Sequence, residues 1–562
     1  MEEKVGCEEI IYSEEYADYI VETGGNAQNV QTRFEPACVQ VIDGSFLCIY
    51  KKIVNDGTVS YEKYGYSAVP KCYGLLNIDN VEATGALKVR SREGFELNGR
   101  GVLFGIVDTG IDYENPVFLR SNGESRVIYI WDQEDRSGTP PEGFDYGSEY
   151  NFEAISEAIS SKEGAKSVPK DSSDYHGTFL AAIAVGNDMG DEFTGMAPEA
   201  EILSVKVKQA KQLYRDFYGI PKDVPCFQEN DVMLGIRYLV EKAERIGKPI
   251  VILIGMGTNA GSHNGSSPIG NMINRLGNSS GICMVGAAGN ETGLGHHYYG
   301  ETKGRETKEI EFLVDGDQNL SFELWTNAIG ALSIGITSPD GEYSGRLQIR
   351  TFEQRIDFVF LDTRVYVYYE RVEYYSGEEV IAVRMKGAKN GIWKFSVSNL
   401  EDDATSFHIW MPMREFVAGS RFLEPNPDTI ICNPANTNQI ITSAAYNHVD
   451  ESIYINSSRG FRENMGIKPD LAAPGVNVYG PVSPLRFGAR TGTSVAAAHV
   501  AGAAVMLMQW GIVRENNMGM NTVIAKNYMV RGARRSGLTV PSKEYGWGKL
   551  DIYNTFESLK NY

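Results

Sequence analysis

Four short apolar runs alternate with longer amphipathic stretches between residues 69 and 300. The runs are GVLFGIVD, EILSVKV, PIVILIG and GICMVGA, and runs of about eight residues are typical of buried strands. The stretches between them are long enough for crossover helices. One of them, VMLGIRYLVEKAERIG, places Met233, Ile236, Leu239 and Val240 on one helical face. The alternation predicts a parallel α/β sheet with helices on both sides.

Two other units interrupt this α/β pattern. The first 66 residues combine a helix-like stretch, SEEYADYIVE, with two apolar runs joined by a turn at Asp43-Gly44. Between residues 301 and 424 the chain has many short runs rich in Tyr, Phe, Val and Ile, separated by turns, as in a β-sandwich. We expect a small α+β unit over 1–66, an α/β domain over 67–300 and 425–562, and a β unit inserted over 301–424.

Charge and cysteine content limit the partners and the compartment. The chain carries 53 Lys and Arg against 73 Asp and Glu, a formal charge of -20, which repels nucleic acid and anionic lipid. Its acidic start lacks the pattern of a secretory signal. The cysteines are scattered without CxxC spacing, so reduced thiols and a cytosol-like compartment are expected; they are Cys7, Cys38, Cys48, Cys72, Cys226, Cys283 and Cys432.

Asp108 and His176 are candidate functional residues that each have a simpler explanation. Asp108 ends the run GVLFGIVD, and open α/β sheets collect functional groups at the carboxyl ends of their strands. An aspartate there is also a common turn or cap residue, and Asp112 is an alternative candidate for the functional carboxylate. His176, in DYHGTFLAAIAVGN, fits a core or capping residue equally well. Neither residue alone indicates a function.

Ser494 lies in GTSVAAAHVAG, at the start of an Ala-rich, helix-like stretch. A serine there can be a simple N-cap. It can also be a nucleophile, because a helix N-terminus offers unpaired N–H groups where an oxyanion develops. The stretch from Val495 to Val513 is nearly long enough to span a membrane, but its small residues, together with His499 and Gln509, argue against insertion. The motif cannot separate cap from nucleophile.

Asn290 is a fourth candidate residue, and its side chain complements the other three. A serine nucleophile needs a base that takes its proton and a carboxylate that orients the base, and the chain offers Asp108, His176 and Ser494 in that order. Asn290, in GICMVGAAGNET, fits a turn residue when it is seen alone. Beside Ser494 its amide could bind an oxyanion. The set predicts a serine hydrolase.

These four segments together resemble the subtilisin-like serine proteases, from about Val69 to the C-terminal WGKLDIYNTF. The matching motifs are DTGID, HGT, AAGN and GTSVAAAHVAG, with KPDLAAPGV as a further landmark. The resemblance implies Asp108 as orienting carboxylate, His176 as general base, Ser494 as nucleophile and Asn290 as oxyanion donor. It also implies a peptide-binding strand comprising Ile254, Gly255, Met256 and Gly257, and a specificity pocket near Ala288 and Gly289.

The large insertion between Asn290 and Ser494 makes the chain most similar to the Csp-type subtilases of spore-forming Firmicutes. That resemblance implies a jelly-roll insertion and an N-terminal prodomain over 1–66, which the enzyme cuts off and retains in its cleft. It implies a protein substrate, which in relatives is the zymogen of a spore cortex-lytic hydrolase. Self-cleavage is expected in a short window before the mature domain, comprising Tyr64, Gly65, Tyr66, Ser67, Ala68 and Val69.

Departures from the family pattern leave the four groups intact. Ala498 stands where proline is common, and Tyr175 stands where glycine is frequent. An acidic loop with Asn187, Asp188, Asp191 and Glu192 could bind calcium, but a solvated loop is the simpler interpretation, so we expect no metal and no cofactor.

The leading hypothesis is an active serine endopeptidase, located in the cytoplasm or associated with a spore. The first alternative is a sensing or binding protein on a subtilase scaffold. Its expected mark, replacement of a catalytic residue, is absent from this sequence. A second alternative is a structural or adhesive β-sandwich protein that the α/β part merely carries. The oligomeric state stays open.

Overall fold

The structure is a computed structural model of helices and strands. It describes residues 6–22, 34–53, 59, 61, 64–75, 82–91, 95–161, 168–170, 174–189, 193–327, 331–350, 352–461, 466–484 and 486–560. The α-helices are α1 (Cys7–Tyr12), α2 (Ala86–Ser91), α3 (Phe152–Ser160), α4 (His176–Val185), α5 (Gln212–Tyr218), α6 (Glu229–Ile246), α7 (Pro268–Leu276), α8 (Arg414–Val417), α9 (Thr493–Met508), α10 (Thr522–Gly532) and α11 (Ile552–Leu559).

The strands fall into three groups along the chain. The first group is β1 (Tyr16–Glu22), β2 (Cys38–Val41), β3 (Phe46–Lys52), β4 (Cys72–Leu75), β5 (Leu103–Asp108), β6 (Val127–Asp132), β7 (Ser148–Asn151), β8 (Glu201–Lys206), β9 (Phe227–Gln228), β10 (Ile250–Ile254), β11 (Met256–Gly257) and β12 (Ile282–Ala287). The second is β13 (His297–Thr302), β14 (Thr307–Val314), β15 (Gln318–Thr326), β16 (Leu332–Thr337), β17 (Gln354–Phe358), β18 (Thr363–Glu370), β19 (Glu379–Ala388), β20 (Gly391–Asn399), β21 (Thr405–Trp410) and β22 (Arg421–Phe422). The third is β23 (Ile441–Tyr446), β24 (Leu471–Pro474), β25 (Val478–Ser483) and β26 (Arg486–Arg490).

The central sheet is mixed rather than wholly parallel as predicted. Its strand order is β24-β23-β12-β10-β5-β8-β6-β7. Neighbouring strands are parallel throughout except at the edge, where β7 pairs antiparallel with β6. The four apolar runs of the sequence became β5, β8, β10 and β12. The edge strand β7, SEYN, is short and polar, so it could not be predicted from an apolar run in the sequence.

In its described residues the N-terminal unit has one helix and a three-stranded antiparallel sheet, in the order β1-β3-β2. The stretch SEEYADYIVE, which was expected to be helical, instead forms most of β1, and the helix α1 lies before it. The turn of this unit falls where the sequence indicates, because the Asp43 carboxylate accepts hydrogen bonds from the backbone N–H groups of Ser45 (2.7 Å) and Phe46 (2.8 Å). Such an Asx turn stabilises the reversal between two strands.

The segment between β12 and β23 holds two antiparallel sheets that pack face to face. One sheet has the order β13-β21-β15-β19-β18-β17 and the other β16-β20-β14-β22. Aromatic rings fill the space between them: Phe322 of the first sheet contacts Phe312 and Phe395 of the second, with ring centroids 4.8 and 5.1 Å apart. The first strand, β13, begins at His297, slightly before the predicted boundary at residue 301. We call residues 297–422 the inserted unit.

A disulfide bond corrects the expectation that all cysteines are reduced. Cys7 of α1 and Cys38 of β2 are bonded, while Cys48, Cys72, Cys226, Cys283 and Cys432 are free and buried. The two bonded residues lie 31 positions apart in the chain, and only the packing of α1 beside β2 brings them together. The cysteine spacing therefore no longer supports a reducing compartment.

One helix is long and apolar enough to cross a membrane by length and composition alone. It runs over Thr493–Val513, and 89% of its most apolar 18-residue stretch is buried inside the fold. Core helices of globular proteins pass the same test, because they are apolar on every side. Here α9 packs against the central sheet and α4.

Candidate active site

Ser494, His176 and Asp108 form a continuous hydrogen-bonded chain in the structure. His176 Nδ1 lies 2.7 Å from Asp108 Oδ1, and His176 Nε2 lies 3.3 Å from Ser494 Oγ. All three side chains are buried. This order of contacts is the one in which a carboxylate orients an imidazole that takes a proton from a hydroxyl.

Three elements of the α/β fold deliver these side chains to one place. Asp108 is the last residue of β5, His176 is the first residue of α4, and Ser494 lies in the first turn of α9. Asp108 is further held by its neighbour, since the backbone N–H of Thr109 donates to Asp108 Oδ1 at 2.9 Å. The carboxylate therefore has a fixed position before any substrate binds.

Tyr175, the residue that departs from the family pattern, has a left-handed backbone. It precedes α4 with φ 62° and ψ 20°, a conformation that costs about 1–2 kcal/mol for residues with a Cβ and suits glycine. Its hydroxyl donates to the Asp112 carboxylate, and this bond ties the start of α4 to the loop after β5. Asp112 thus has a structural partner, and burial raises the pKa of its carboxyl.

Asn290 and Thr493 hold each other beside Ser494. Asn290 Oδ1 accepts from the backbone N–H of Thr493 at 3.0 Å and from its hydroxyl at 3.2 Å. The Thr493 hydroxyl in turn accepts from the N–H of Gly289 at 3.0 Å. Because Oδ1 is engaged, the amide NH₂ of Asn290 is the group left for a ligand. The sequence did not single out Thr493, although it is the central residue of the GTS motif.

The predicted peptide-binding strand is occupied by a segment of the same chain. Met256 pairs antiparallel with Leu75, and Gly257 pairs with Gly74. On its other edge β4 pairs with β9, so β4 lies between two short strands of the α/β domain. Gly255, just before β11, is packed so closely on Asp108 that a Cβ would overlap Asp108 Oδ2. The Leu75 end of β4 therefore points toward the residues of the triad.

Ile254 does not belong to this peptide-binding edge, contrary to the prediction. It is buried in the central sheet, where it pairs with Gly286 on one side and Val107 on the other. Its backbone has no free edge because β10 is an interior strand. The peptide-binding edge begins only after the chain leaves the sheet at Gly255.

Ala288 and Gly289, which are predicted to lie near the specificity pocket, follow β12 directly in a hydrogen-bonded loop. The N–H of Ala288 donates to Ser443 O at 3.0 Å. Gly289 has φ +107°, and a Cβ there would overlap Cys432 Sγ and Ser458 Oγ. Glycine is therefore required at this position, which brings Asn290 next to Thr493.

The predicted self-cleavage window, residues 64–69, lies away from the triad. The side chains of Tyr66 and Ser67 bond to Glu323 and Glu373 of the inserted unit, and the ring of Tyr64 stacks on Tyr19 of β1. The whole window precedes β4, whereas the end of β4 nearest Asp108 is Leu75. The window was placed by resemblance to a mature N-terminus, and as a cleavage site it stays a prediction. Residues 76–81 lie outside the described residues.

Other histidines that could be mistaken for metal ligands have protein partners. His297 Nε2 lies 2.7 Å from His408 Nδ1, and both rings stack on Trp410, as does His263. Burial lowers the pKa of His263 to about 4. His296 pairs with Glu291 at 2.5 Å.

His499 is a packing residue of α9. Its Nδ1 lies 2.8 Å from Val495 O, and burial lowers its pKa to about 3.

The acidic loop shows no assembled cation site in its described part. Asn187 bonds to Arg126 and to backbone carbonyls, and Asp188 pairs with Arg90 at 2.5 Å. Asp191 and Glu192 lie outside the described residues. Among the described side chains, one group is close enough to hold a metal ion, Cys7, Cys38 and Asp145, and its two sulfur atoms form the disulfide bond.

A serine bonded through histidine to a buried aspartate, at the carboxyl edge of a largely parallel sheet, defines a serine hydrolase site. A model described as the subtilase family matches residues 99–346 and 380–548. The chain belongs to the subtilase family. The match spans most of both parts of the α/β domain.

Known relatives of this chain are proteases. The structure of the CspB protease of Clostridium perfringens matches with a TM-score of 0.76 and 28% identity, covering 85% of this chain and 97% of that chain. The PII-type proteinase of Lacticaseibacillus paracasei is 21% identical over 497 residues, 82% of this chain. The minor extracellular protease Vpr of Bacillus subtilis is 31% identical over 113 residues, 18% of this chain. The matches span 24% and 13% of the lengths of these two curated relatives.

Proposed function

We propose that this chain is a serine endopeptidase that cuts its own N-terminal part and then acts on a protein substrate. The observation that carries the proposal is the connected chain from Asp108 through His176 to Ser494, with contacts of 2.7 and 3.3 Å. Nothing replaces any of the three groups, so the chemistry of acyl transfer is available.

Each group has one task in the proposed reaction. His176 Nε2 takes the proton of Ser494 as the hydroxyl attacks a peptide carbonyl, while Asp108 holds the imidazole in the orientation that makes Nε2 the base. The developing oxyanion is bound by the amide of Asn290 and by the start of α9, where backbone N–H groups are unpaired and the helix dipole is positive. His176 then returns its proton to the leaving amine.

The first bond to be cut lies in this chain, downstream of Leu75. Support comes from β4, which pairs with β11 in the manner expected of a bound peptide, and from its direction toward Asp108. Residues 1–75 would then remain as a prodomain that fills the cleft. This assignment replaces the window at residues 64–69.

The external substrate is proposed by resemblance rather than by geometry. The Csp-type relatives suggest the inactive precursor of a cortex-lytic hydrolase, acting in or near a spore. The filled cleft favours one second candidate, a binding or sensing role in which the prodomain never leaves. The two differ in whether the chain is cut.

Self-cleavage of the full chain tests the function directly. The wild-type chain and Ser494→Ala are compared by denaturing gel and N-terminal sequencing, with the exposed Ser452→Ala as the matched control. We expect a new N-terminus within residues 76–82 for wild type and the control. Loss of the nucleophile slows turnover by about a millionfold, so Ser494→Ala stays whole.

Two results would contradict the proposal. A folded wild-type chain that stays whole would leave only the binding role. A cut that persists in Ser494→Ala would assign the cleavage to another protease.

A further inference from the structure

Before it reaches the cleft, the chain crosses the surface of the inserted unit. The described residues of this stretch are 61 and 64–71, which we call the upstream segment, and β4 follows it directly. Tyr61, Tyr66, Val69 and Lys71 of this segment are all buried. A linker that only connected two units would expose its polar side chains, so this burial indicates a fitted site.

Tyr66 is the central contact of the upstream segment. Its hydroxyl donates to Glu323 Oε2 at 2.5 Å, and its backbone N–H donates to Glu370 Oε2 at 3.1 Å. Its ring meets Trp325 edge-on, with centroids 5.1 Å apart. The inserted unit thus recognises a tyrosine ring, its hydroxyl and the adjoining backbone at once.

Tyr61 fills a second aromatic site next to the first. Its ring lies 5.1 Å from Phe217 of α5 and 5.3 Å from Tyr368 of β18. It also contacts Tyr66 itself, at 5.6 Å. Two tyrosines five positions apart therefore share one surface, formed by Phe217, Glu323, Trp325, Tyr368 and Glu370, which we call the tyrosine-binding surface.

Glu323 also fixes this surface relative to the cleft. Its Oε2 accepts from the backbone N–H of Gly261 at 2.7 Å and from Trp325 Nε1 at 3.2 Å. Gly261 follows β11, the strand that pairs with β4, by four positions. One buried carboxylate therefore links the upstream tyrosine, the inserted unit and the loop after the peptide-binding strand.

Lys71 shapes the short turn between the two sites. Its ammonium donates to the carbonyls of Tyr66 (2.9 Å) and Val69 (2.7 Å), and lies 4.0 Å from the centre of the Tyr66 ring. Its own backbone N–H reaches Glu229 at 3.3 Å. The turn sets a fixed spacing between Tyr66 and β4.

We propose that the tyrosine-binding surface is a second substrate-recognition site, which selects polypeptides with a tyrosine about eight residues before the stretch bound along Met256–Gly257. The inference rests on the proposed endopeptidase function and deepens it. The inserted unit then contributes specificity to the cut, and the first substrate it recognises is the upstream segment of this chain. An external protein substrate would carry the same aromatic feature ahead of its scissile bond.

A double-mutant cycle on self-cleavage tests this recognition. Full chains are made in a cell-free translation mixture with a pulse of labelled amino acid, and the rate of cutting is followed by gel. Tyr66→Phe removes one hydroxyl, and Glu323→Gln removes the charge that accepts it. We expect each variant to be cut about tenfold more slowly, because a buried hydrogen bond to a charged group is lost. The double variant should be no slower than the slower single one.

Controls separate recognition from misfolding and from a failed function. Tyr343→Phe alters a tyrosine of the inserted unit that is 52% exposed and should cut at the wild-type rate. Hydrogen exchange of α9, measured for each variant in a Ser494→Ala background, reports whether the α/β domain folds. If Glu323→Gln does not fold, Tyr66→Phe decides alone.

The outcomes are distinct. Wild-type rates for Tyr66→Phe, or single effects that multiply in the double variant, would overturn the second recognition site while the endopeptidase function stands. A wild-type chain that is folded but never cut would overturn both.

Discussion

At the level of single residues, hydrogen bonds among Asn290, Thr493 and Gly289 hold the proposed oxyanion donor in place. The Thr493 hydroxyl, at the start of α9, accepts a hydrogen bond from the N–H of Gly289 and donates one to Asn290 Oδ1. With its carbonyl oxygen held, the amide of Asn290 keeps one orientation. Preorganised donors of this kind stabilise charge without rearranging during the reaction.

Two substitutions of Asn290 distinguish the role of its NH₂ donor from that of its Oδ1 acceptor. Asn290→Ala should slow self-cleavage by about 100–1000-fold, the usual cost of losing one oxyanion donor. Asn290→Asp keeps an acceptor for Thr493 but has no N–H donor, so it should be slow as well while its thermal midpoint stays near wild type. Rates come from the pulse-labelled gel. A fast Asn290→Asp chain would show that the amide donor is not used.

At this scale, sequence reasoning identifies candidate residues where a residue type and a motif act together. Asp108, His176, Ser494 and Asn290 were found because a hydroxyl, an imidazole, a carboxylate and an amide each have a chemically required neighbour. Thr493 was missed because its role is to bond two backbones that are far apart in the chain. Tyr175 was noted only as a departure from the family pattern, since no local pattern predicts its left-handed backbone or its hydrogen bond to Asp112.

At the level of elements, the passage from β10 to β11 aligns the triad with the peptide-binding edge. Gly255 lies between the two strands and packs on Asp108 and Leu180 without room for a Cβ. One backbone position thus borders both the catalytic carboxylate and the bound strand. In the proposed reaction this contact would set the position of the substrate relative to Ser494.

Gly255→Ala should disturb that alignment. The added methyl group overlaps Asp108 Oδ2, so the carboxylate or the strand must shift, and misplacement by about 1 Å can cost about 100-fold in rate. We expect self-cleavage to slow by about that factor. Gly44→Ala, at a glycine whose Cβ would meet nothing within 4 Å, is the matched control. Equal rates for the two variants would refute the steric argument.

Elements were predictable where their own sequence carries the signal. The fully buried strands β5, β10 and β12 are continuous apolar runs, and periodicity identifies them. By contrast β4, β9 and β11 are two to four residues long and exist because partners from distant parts of the chain pair with them. That is why the predicted self-cleavage window fell on residues 64–69, whereas the cut proposed from the structure lies beyond β4.

At the scale of the whole molecule, buried charges join the N-terminal unit to the α/β domain. Asp18 of β1 is fully buried and pairs with Lys211 at 2.5 Å, while Gln228 donates to its other oxygen at 3.0 Å. Nearby, the Glu14 carboxylate accepts from the N–H groups of Gln212 and Leu213 at the start of α5. The interface is therefore specific and polar as well as apolar.

Asp18→Ala should release the N-terminal fragment after self-cleavage. Removing one partner leaves the Lys211 ammonium buried and unpaired, which costs about 3–5 kcal/mol. Gel filtration of the cut protein should show the fragment eluting with the α/β domain in wild type and apart from it in the variant. Glu8→Ala, which breaks a partly exposed pair with Arg136 between the same two units, should change little. Release in both variants, or in neither, would contradict a special role for Asp18.

The position of β4 between β11 and β9 has a consequence for kinetics. A cut beyond Leu75 removes the covalent link but leaves every hydrogen bond of the three-stranded sheet in place. Each molecule would therefore show a burst of one cleavage, and later turnovers would proceed only as fast as the severed strand departs. Any factor that controls this protein in its host would then act on the lifetime of the severed complex, since the chemical step at Ser494 is already complete.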